Sequence, residues 1–343
     1  MIDDGDQTTV KIIFTQEANN EIEDVINKKS YFINASGSNI RKVGKEALQT
    51  FFVLTKDPYG EYKALTDEEK DYFLNLKKED LTFTNLVDWF ADTVDLRDND
   101  RTKHQTKSKF NPCDTLTIQP SEWSLVKEPV NTTVGRLVFN KILIESLGLD
   151  NIFDYQNKVF TAKVFGAFDA SIANALKEDK ITVSQMREYV DTRDWFGLQV
   201  HGLITSSFTP EVLKLPKEVK ELKEKLMKEN EEALKNGDAR VIENIENQLI
   251  DATKKALDGN IGMDLYVSGA RGSVNNHLKN IMLTRGAVQN PVTKEYDIIE
   301  NSLMDGLAKK DIGTHSNMIV SGAYPKAYGS IGLVKPCELL EHR

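Results

Sequence analysis

Asp3, Asp4 and Asp6 place three carboxylates around Gly5. Glycine lets the backbone fold back on itself, so the acids flanking it can aim at one point. An all-oxygen cluster of this kind suits a hard divalent ion, above all Mg²⁺ shared with the phosphate oxygens of a substrate. Taken alone, a short acidic stretch is most simply solvated chain. A calcium loop is excluded, because its twelfth residue should be glutamate and counting from Asp3 or Asp4 reaches Phe14 or Thr15. Arg271 lies in Ser268-Gly269-Ala270-Arg271-Gly272-Ser273. That run is too loose for a dinucleotide or P-loop signature and by itself reads as a glycine-rich turn with a surface arginine. Lys326 could face nucleic acid or solvent, and His315, a lone histidine, reads as structural.

The elements that must position these residues follow from pattern. Val10 to Thr15 is β-branched and aromatic and predicts a strand leaving the acidic loop. Gln16-Glu17-Ala18 opens a helix with Ile22, Val25 and Ile26 at helical spacing. Asn34 to Asn39 is turn chemistry, and a second helix is expected over about 45–55. Asp95 to Arg101 is charge-rich and reads as a solvated loop, and Trp195-Phe196 as core. Between 211 and 257, Val219, Leu222, Leu226 and Ala233 form one apolar stripe, and Ile242, Ile245, Leu249, Ala252 and Ala256 a second. Pro216 can start the first helix, while Gly237 and Asp238 suit a stop and a start. Two helices of roughly 18 residues, each about 27 Å long, form a hairpin that packs mainly on itself. No internal repeat is visible.

Lysine plus arginine number 44 against 53 acids, a formal net charge of −9. This argues against nucleic-acid binding through overall charge but leaves local basic faces possible. Cys113 and Cys337 have neither disulfide-framework nor metal spacing, so a reducing compartment is expected. The longest apolar run, Thr50 to Leu54, falls far short of the roughly 18 to 20 residues of a membrane span. The acidic start gives no expectation of a signal or transit peptide.

Asp4-Gly5-Asp6-Gln7, followed by Val10, Thr15, Glu17-Ala18 and Glu21, resembles the sequence after the catalytic loop of the largest, β′-type subunit of multisubunit RNA polymerases. That family reads N-A-D-F-D-G-D-Q, then a strand, then L-T-x-E-A. Asn131-Thr132-Thr133-Val134-Gly135-Arg136, with Phe139-Asn140 and Ile142-Leu143, resembles its T-T-V-G-R-x-x-F-N-x-I-L segment. The helical hairpin lies where the family has the two rim helices of its nucleotide channel. Val267 to Ser273, with Arg285-Gly286 and Asn290-Pro291, is similar to its S-G-A-R-G-S segment, the F-loop beside the active centre. Aligned on Asp4-Gly5-Asp6, the family's first metal-binding aspartate falls on Ile2 and its phenylalanine on Asp3. Either the loop has slipped by one residue so that Asp3 substitutes, or the third carboxylate comes from elsewhere. In the bridge-helix region Pro325 would break or kink a helix.

The resemblance implies an α+β chain: the end of a double-psi β-barrel catalytic domain, then a mainly helical pore and funnel region with an antiparallel helical hairpin. Its parts would be a catalytic-loop and barrel-edge region (1–60), a variable insertion (61–130), the pore and funnel region (131–210), the rim-helix hairpin (211–257), an F-loop-like region (258–300) and a bridge-helix-like region (301–343). It implies nucleotidyl transfer with Mg²⁺ held by Asp4 and Asp6, with Asp3 as the candidate third ligand, and places Arg271 and Lys326 near substrate or nucleic acid. Implied partners are β-type chains, the remaining β′-type fragments, a promoter-specificity factor, template DNA, product RNA and nucleoside triphosphates, with no membrane. The division between chains resembles the split subunits of giant-bacteriophage RNA polymerases, whose compartment is the host-cell cytoplasm. A noncatalytic scaffold or assembly subunit stays open, as does an RNA-templated polymerase of the double-barrel type.

Overall fold

The computed structural model describes residues 12–58, 60–91, 93–94, 105–204, 215–235, 238–275, 279, 283, 287–289 and 296–298. They divide into two compact units. One holds the described residues within 14–207 and 268–271, and the other holds those within 208–267 and from 272 on, with 12 and 13.

The larger unit begins with α1 (Gln16–Ile26), capped by the Thr15 hydroxyl, which accepts from Ala18 N. None of its residues is buried, and Ile22 and Val25 face outward. α2 (Lys45–Thr55) is the opposite case: eight residues, Ala47 and Gln49 through Thr55, are buried. The apolar run Phe51 to Leu54 is hydrophobic all round because α2 is enclosed on all sides. α3 (Asp67–Leu74) starts in a capping box, with Glu69 reaching back to the Thr66 amide, and α4 (Phe83–Phe90) follows. Two short antiparallel pairs come next, β1 (Thr93–Val94) with β2 (Gln105–Thr106) and β3 (Thr115–Ile118) with β4 (Val130–Thr133). α5 (Val134–Leu143), α6 (Ala162–Lys177) and α7 (Val183–Ile204) complete the unit.

Its core is built on phenylalanine. Phe51 stacks on Phe165 at 5.0 Å and on Phe196 at 5.6 Å, while Phe139 stacks on Phe160 at 4.0 Å. Each fully buried ring stabilises the fold by about 1.5–3 kcal/mol. α2 and α7 approach so closely that a Cβ on Gly197 would lie 2.2 Å from Ala47 Cβ. Trp195 and Phe196 are not both core: Phe196 is fully buried and Trp195 is 40% exposed. Neighbours on a helix point about 100° apart, so one face cannot take both.

In the other unit, α8 (Lys217–Glu229), the short α9 (Glu231–Lys235) and α10 (Ala239–Ala256) occupy the stretch expected to be a hairpin, with α8 packed on α10. Asp238 caps α10, accepting from Arg240 N and Val241 N. One expectation changes: the first arm is not a single 18-residue helix but breaks at Asn230, whose amide bonds back to Leu226 O. The hairpin packs mainly on itself, as expected, and its core extends further. Val219, Leu226, Ile245, Leu249 and Ile250 share one core with Met263 and Tyr266 of α11 (Ile261–Val267), and with Val274 and Leu283. β5 (Ala287–Gln289) pairs antiparallel with β6 (Tyr296–Ile298).

The described residues are thus mostly helical, and their strands form only two-stranded antiparallel pairs. Of the expected catalytic-loop and barrel-edge region, residues 1–11 and 59 lie outside them; the rest is helix and loop, and Ile12 to Thr15, the described part of the expected strand, lie in no strand. Asp95 to Arg101 and the bridge-helix-like region also lie outside. No described helix is long and apolar enough to cross a membrane.

Candidate functional site

Asp3, Asp4, Asp6, Lys326 and His315 lie outside the described residues, and Arg271 lies within them. Among the described residues, no group of three or more histidine, cysteine, aspartate or glutamate side chains could hold a metal ion.

The segment Thr132 to Leu143 forms a buried joint. Thr133 ends β4 and caps α5, its hydroxyl accepting from Arg136 N at 3.3 Å. The Arg136 guanidinium donates through Nε to Thr55 O at 3.0 Å, through Nη1 to Asn157 Oδ1 at 3.3 Å and through Nη2 to Asp57 Oδ1 at 2.6 Å. Asn140 Nδ2 donates to Arg136 O and Gln156 O, and its Oδ1 accepts from Gln156 N. Gly135 lies where α5 meets the end of α2, its amide donating to Pro112 O at 2.8 Å. Arg136 and Asn140 therefore tie α2, α5 and the 155–157 stretch together, and the chemistry here is cohesion. Asp57 is largely exposed, so its ion pair adds little; the buried bonds to Thr55 and Asn157 matter more.

Arg271 sits in a turn held at the start of α6. Ala162 N donates to Ser268 O at 3.0 Å, and Ala270 is fully buried. Gly269 has φ +77°, and a Cβ there would lie 3.2 Å from Ala162 Cβ, so glycine is required on both counts. The charge of Arg271 is felt by His201 near the end of α7, which also senses Glu46 of α2. Burial is the main influence holding the His201 imidazole below its ordinary range; Glu46 pulls it up and Arg271 pushes it further down. Its Nε2 is buried without a hydrogen-bond partner.

A stability effect follows. The folded-state pKa of His201 is depressed, so the unfolded chain binds more protons as pH falls through the ordinary histidine range near 6.5. Stability is then lost on acidification from about pH 7.5 to 5.5. Urea unfolding at the two pH values should show a smaller loss for His201→Gln than for the natural chain, and equal losses would refute the effect.

Sequence reasoning missed a buried polar cluster centred on Asp169. Asp169 of α6 accepts from Asn39 Nδ2 at 2.7 Å, from the Tyr189 hydroxyl at 3.1 Å and from Arg193 Nη1 at 2.9 Å. Burial raises its carboxyl above the usual range, and Arg193, Tyr189 and Asn39 pull it back down. Its partners are 20, 24 and 130 positions away, so no local spacing announces the cluster.

No protein-family model matches the chain, and no curated protein matches it.

Proposed function

We propose that the chain carries the central portion of a β′-type subunit of a multisubunit DNA-dependent RNA polymerase. Asp4 and Asp6, with Asp3 as candidate third ligand, would hold Mg²⁺. Bound there, the ion would activate the RNA 3′ hydroxyl for in-line attack on the α-phosphate of a nucleoside triphosphate, a second ion arriving with the substrate. The acids' own share is to neutralise and position, which supplies most of the catalysis in such transfers. Arg271 and Lys326 would lie near substrate or nucleic acid. The partners would be β-type chains, remaining β′-type fragments, a promoter-specificity factor, template DNA and product RNA, in a host-cell cytoplasm if the chain is phage-encoded.

The observation that carries this reading is the order of four resembling segments: the Asp4-Gly5-Asp6 loop, Thr132 to Leu143, the 211–257 hairpin and Val267 to Ser273. Support also comes from α8 and α10, which occupy the hairpin's expected place, and from the turn at Ser268 to Arg271. The acidic balance is compatible with it, since a channel lined by several chains needs only a minority of this one. Ile2, where the family has its first metal-binding aspartate, favours a second reading as a noncatalytic scaffold subunit of the same machine.

The test is capture of the tagged chain from its native cells. Copurification of β-type and further β′-type chains, with RNA synthesis that depends on DNA and Mg²⁺, supports the reading. A captured chain without polymerase subunits rejects it, and an assembled, active enzyme indifferent to Asp4 and Asp6 selects the scaffold.

A further inference from the structure

A groove of about 540 Å³ opens in the larger unit between residues 26–42 and the 187–194 stretch of α7. Arg41, Lys42, Arg187 and Arg193 line it against two carboxylates, Asp191 and Asp194. Four cations outweigh those two acids, and one positive charge remains even when Asp169, bonded to Arg193, is counted. The chain as a whole carries −9, so this face runs against its overall charge.

The way the donors are held separates this groove from an ordinary solvated charge cluster. Arg193 is fully buried; its Nε donates to Asp194 Oδ1 at 2.8 Å, and its Nη1 donates to Arg41 O at 3.0 Å and Asp169 Oδ1 at 2.9 Å. Its Nη2 is buried with no hydrogen-bond partner. Buried donors are almost always matched, and this exception leaves an unsatisfied positive charge in a residue that lines the groove. The Arg41 guanidinium lies over the Tyr31 ring at 3.7 Å and is fixed by Nε donating to Tyr31 O at 3.2 Å. Arg187 is fixed through Nη2, which donates to Ile26 O at 2.6 Å and Asn27 Oδ1 at 3.0 Å. Among the described residues, the other edges of both side chains have no acceptor. Arg41 and Arg187 are thus each anchored at one edge and open at the other, while Arg193 is enclosed with one unmatched donor.

The geometry points to a binding site for a single phosphate group in this groove, recognised by the open edges of Arg41 and Arg187, with Lys42 and the buried Arg193 adding charge. A carboxylate is planar and is satisfied by one guanidinium fork, whereas donors from separate segments suit the tetrahedral oxygens of phosphate. Asp191 and Asp194 set the limit: they repel polyphosphates more than a single group. The phosphate could belong to a free monoester or to the end of a nucleic-acid strand.

Inorganic phosphate titrated into the full chain and followed by calorimetry is the first probe. Saturable binding of one phosphate is expected, weakened about tenfold or more by Arg41→Gln and by Arg187→Gln. Asp191→Asn, which removes a facing negative charge, should tighten it about threefold. All three substitutions are at the groove surface, and unchanged thermal melts would show that the fold persists. Absence of saturation up to about 50 mM phosphate, or affinity untouched by both arginine substitutions, overturns the site. Adenosine monophosphate binding more tightly than phosphate assigns a free monoester. A 5′-phosphorylated oligonucleotide binding more tightly than its 5′-hydroxyl counterpart assigns a strand end, and equal affinity for all phosphate carriers supports a site reading the phosphate alone.

Discussion

If the proposed function holds, Asp4→Ala or Asp6→Ala in the assembled enzyme is expected to leave assembly intact and to lower nucleotide addition by about a hundredfold to a thousandfold. Both acids belong to a short polar run, Asp3 to Gln7, where removal of one charge costs little folding energy. The expected catalytic loss is larger because the proposed metal would neutralise charge that grows in the transition state, and a single substitution would remove one of very few ligands. Primer extension on a preformed nucleic-acid scaffold measures it, and near-normal extension by both variants rejects the metal assignment. Asp3 decides the register. In a slipped loop it is the third carboxylate, and Asp3→Asn raises the Mg²⁺ concentration for half-maximal extension much as Asp4→Asn does. In the ungapped alignment it occupies an aromatic position and the substitution changes nothing. Three carboxylates neutralise Mg²⁺ facing triphosphate better than two, which favours the slip; adjacent acids on an extended chain point apart, which opposes it.

Gly135→Ala destabilises the larger unit by about 3 kcal/mol or more. Helix propensity alone predicts the opposite, a gain of about 1 kcal/mol for alanine over glycine within α5. The close approach decides. A Cβ at this position would lie 1.8 Å from Leu54 O, 2.8 Å from Leu54 C and 3.0 Å from Pro112 O. These are backbone atoms that cannot rotate aside, and shifting them would disturb Thr55, whose carbonyl accepts from Arg136 and whose hydroxyl accepts from Phe160 N at 2.9 Å. Gly166 on α6 is the control: a Cβ there meets nothing within 4 Å, so Gly166→Ala should stabilise by about 0.5–1 kcal/mol. Urea unfolding of both variants tests the contrast. A Gly135→Ala midpoint equal to that of the natural chain would refute the packing account.

How much could be read from sequence depended on how local the cause was. The helix over 45–55 and the α8–α10 stripes were legible because each is a periodic pattern within one segment; Pro216 stands at the start of α8, and Asp238 caps α10 through bonds two and three residues away. The break at Asn230 and the packing onto α11 were not, since the stripe says which face is apolar and not what will cover it. The Thr132 to Leu143 segment was legible as a pattern, yet the partners of Arg136 at Thr55, Asp57 and Asn157 are fixed only by tertiary packing. Asp169 and Arg193 were invisible for the same reason, being on different helices. The acids of the proposed metal site were read from residue type and order, which give chemistry without geometry.

α1 has no buried residue and one notable tie to α7, the Arg187 side chain on Ile26 O and Asn27 Oδ1. An isolated helix of 11 residues is marginal in water, so α1 is expected to open before the rest of the unit, with Arg187 as its tether. Its amide hydrogens should exchange with solvent well before those of α2, which wait for the whole unit to unfold.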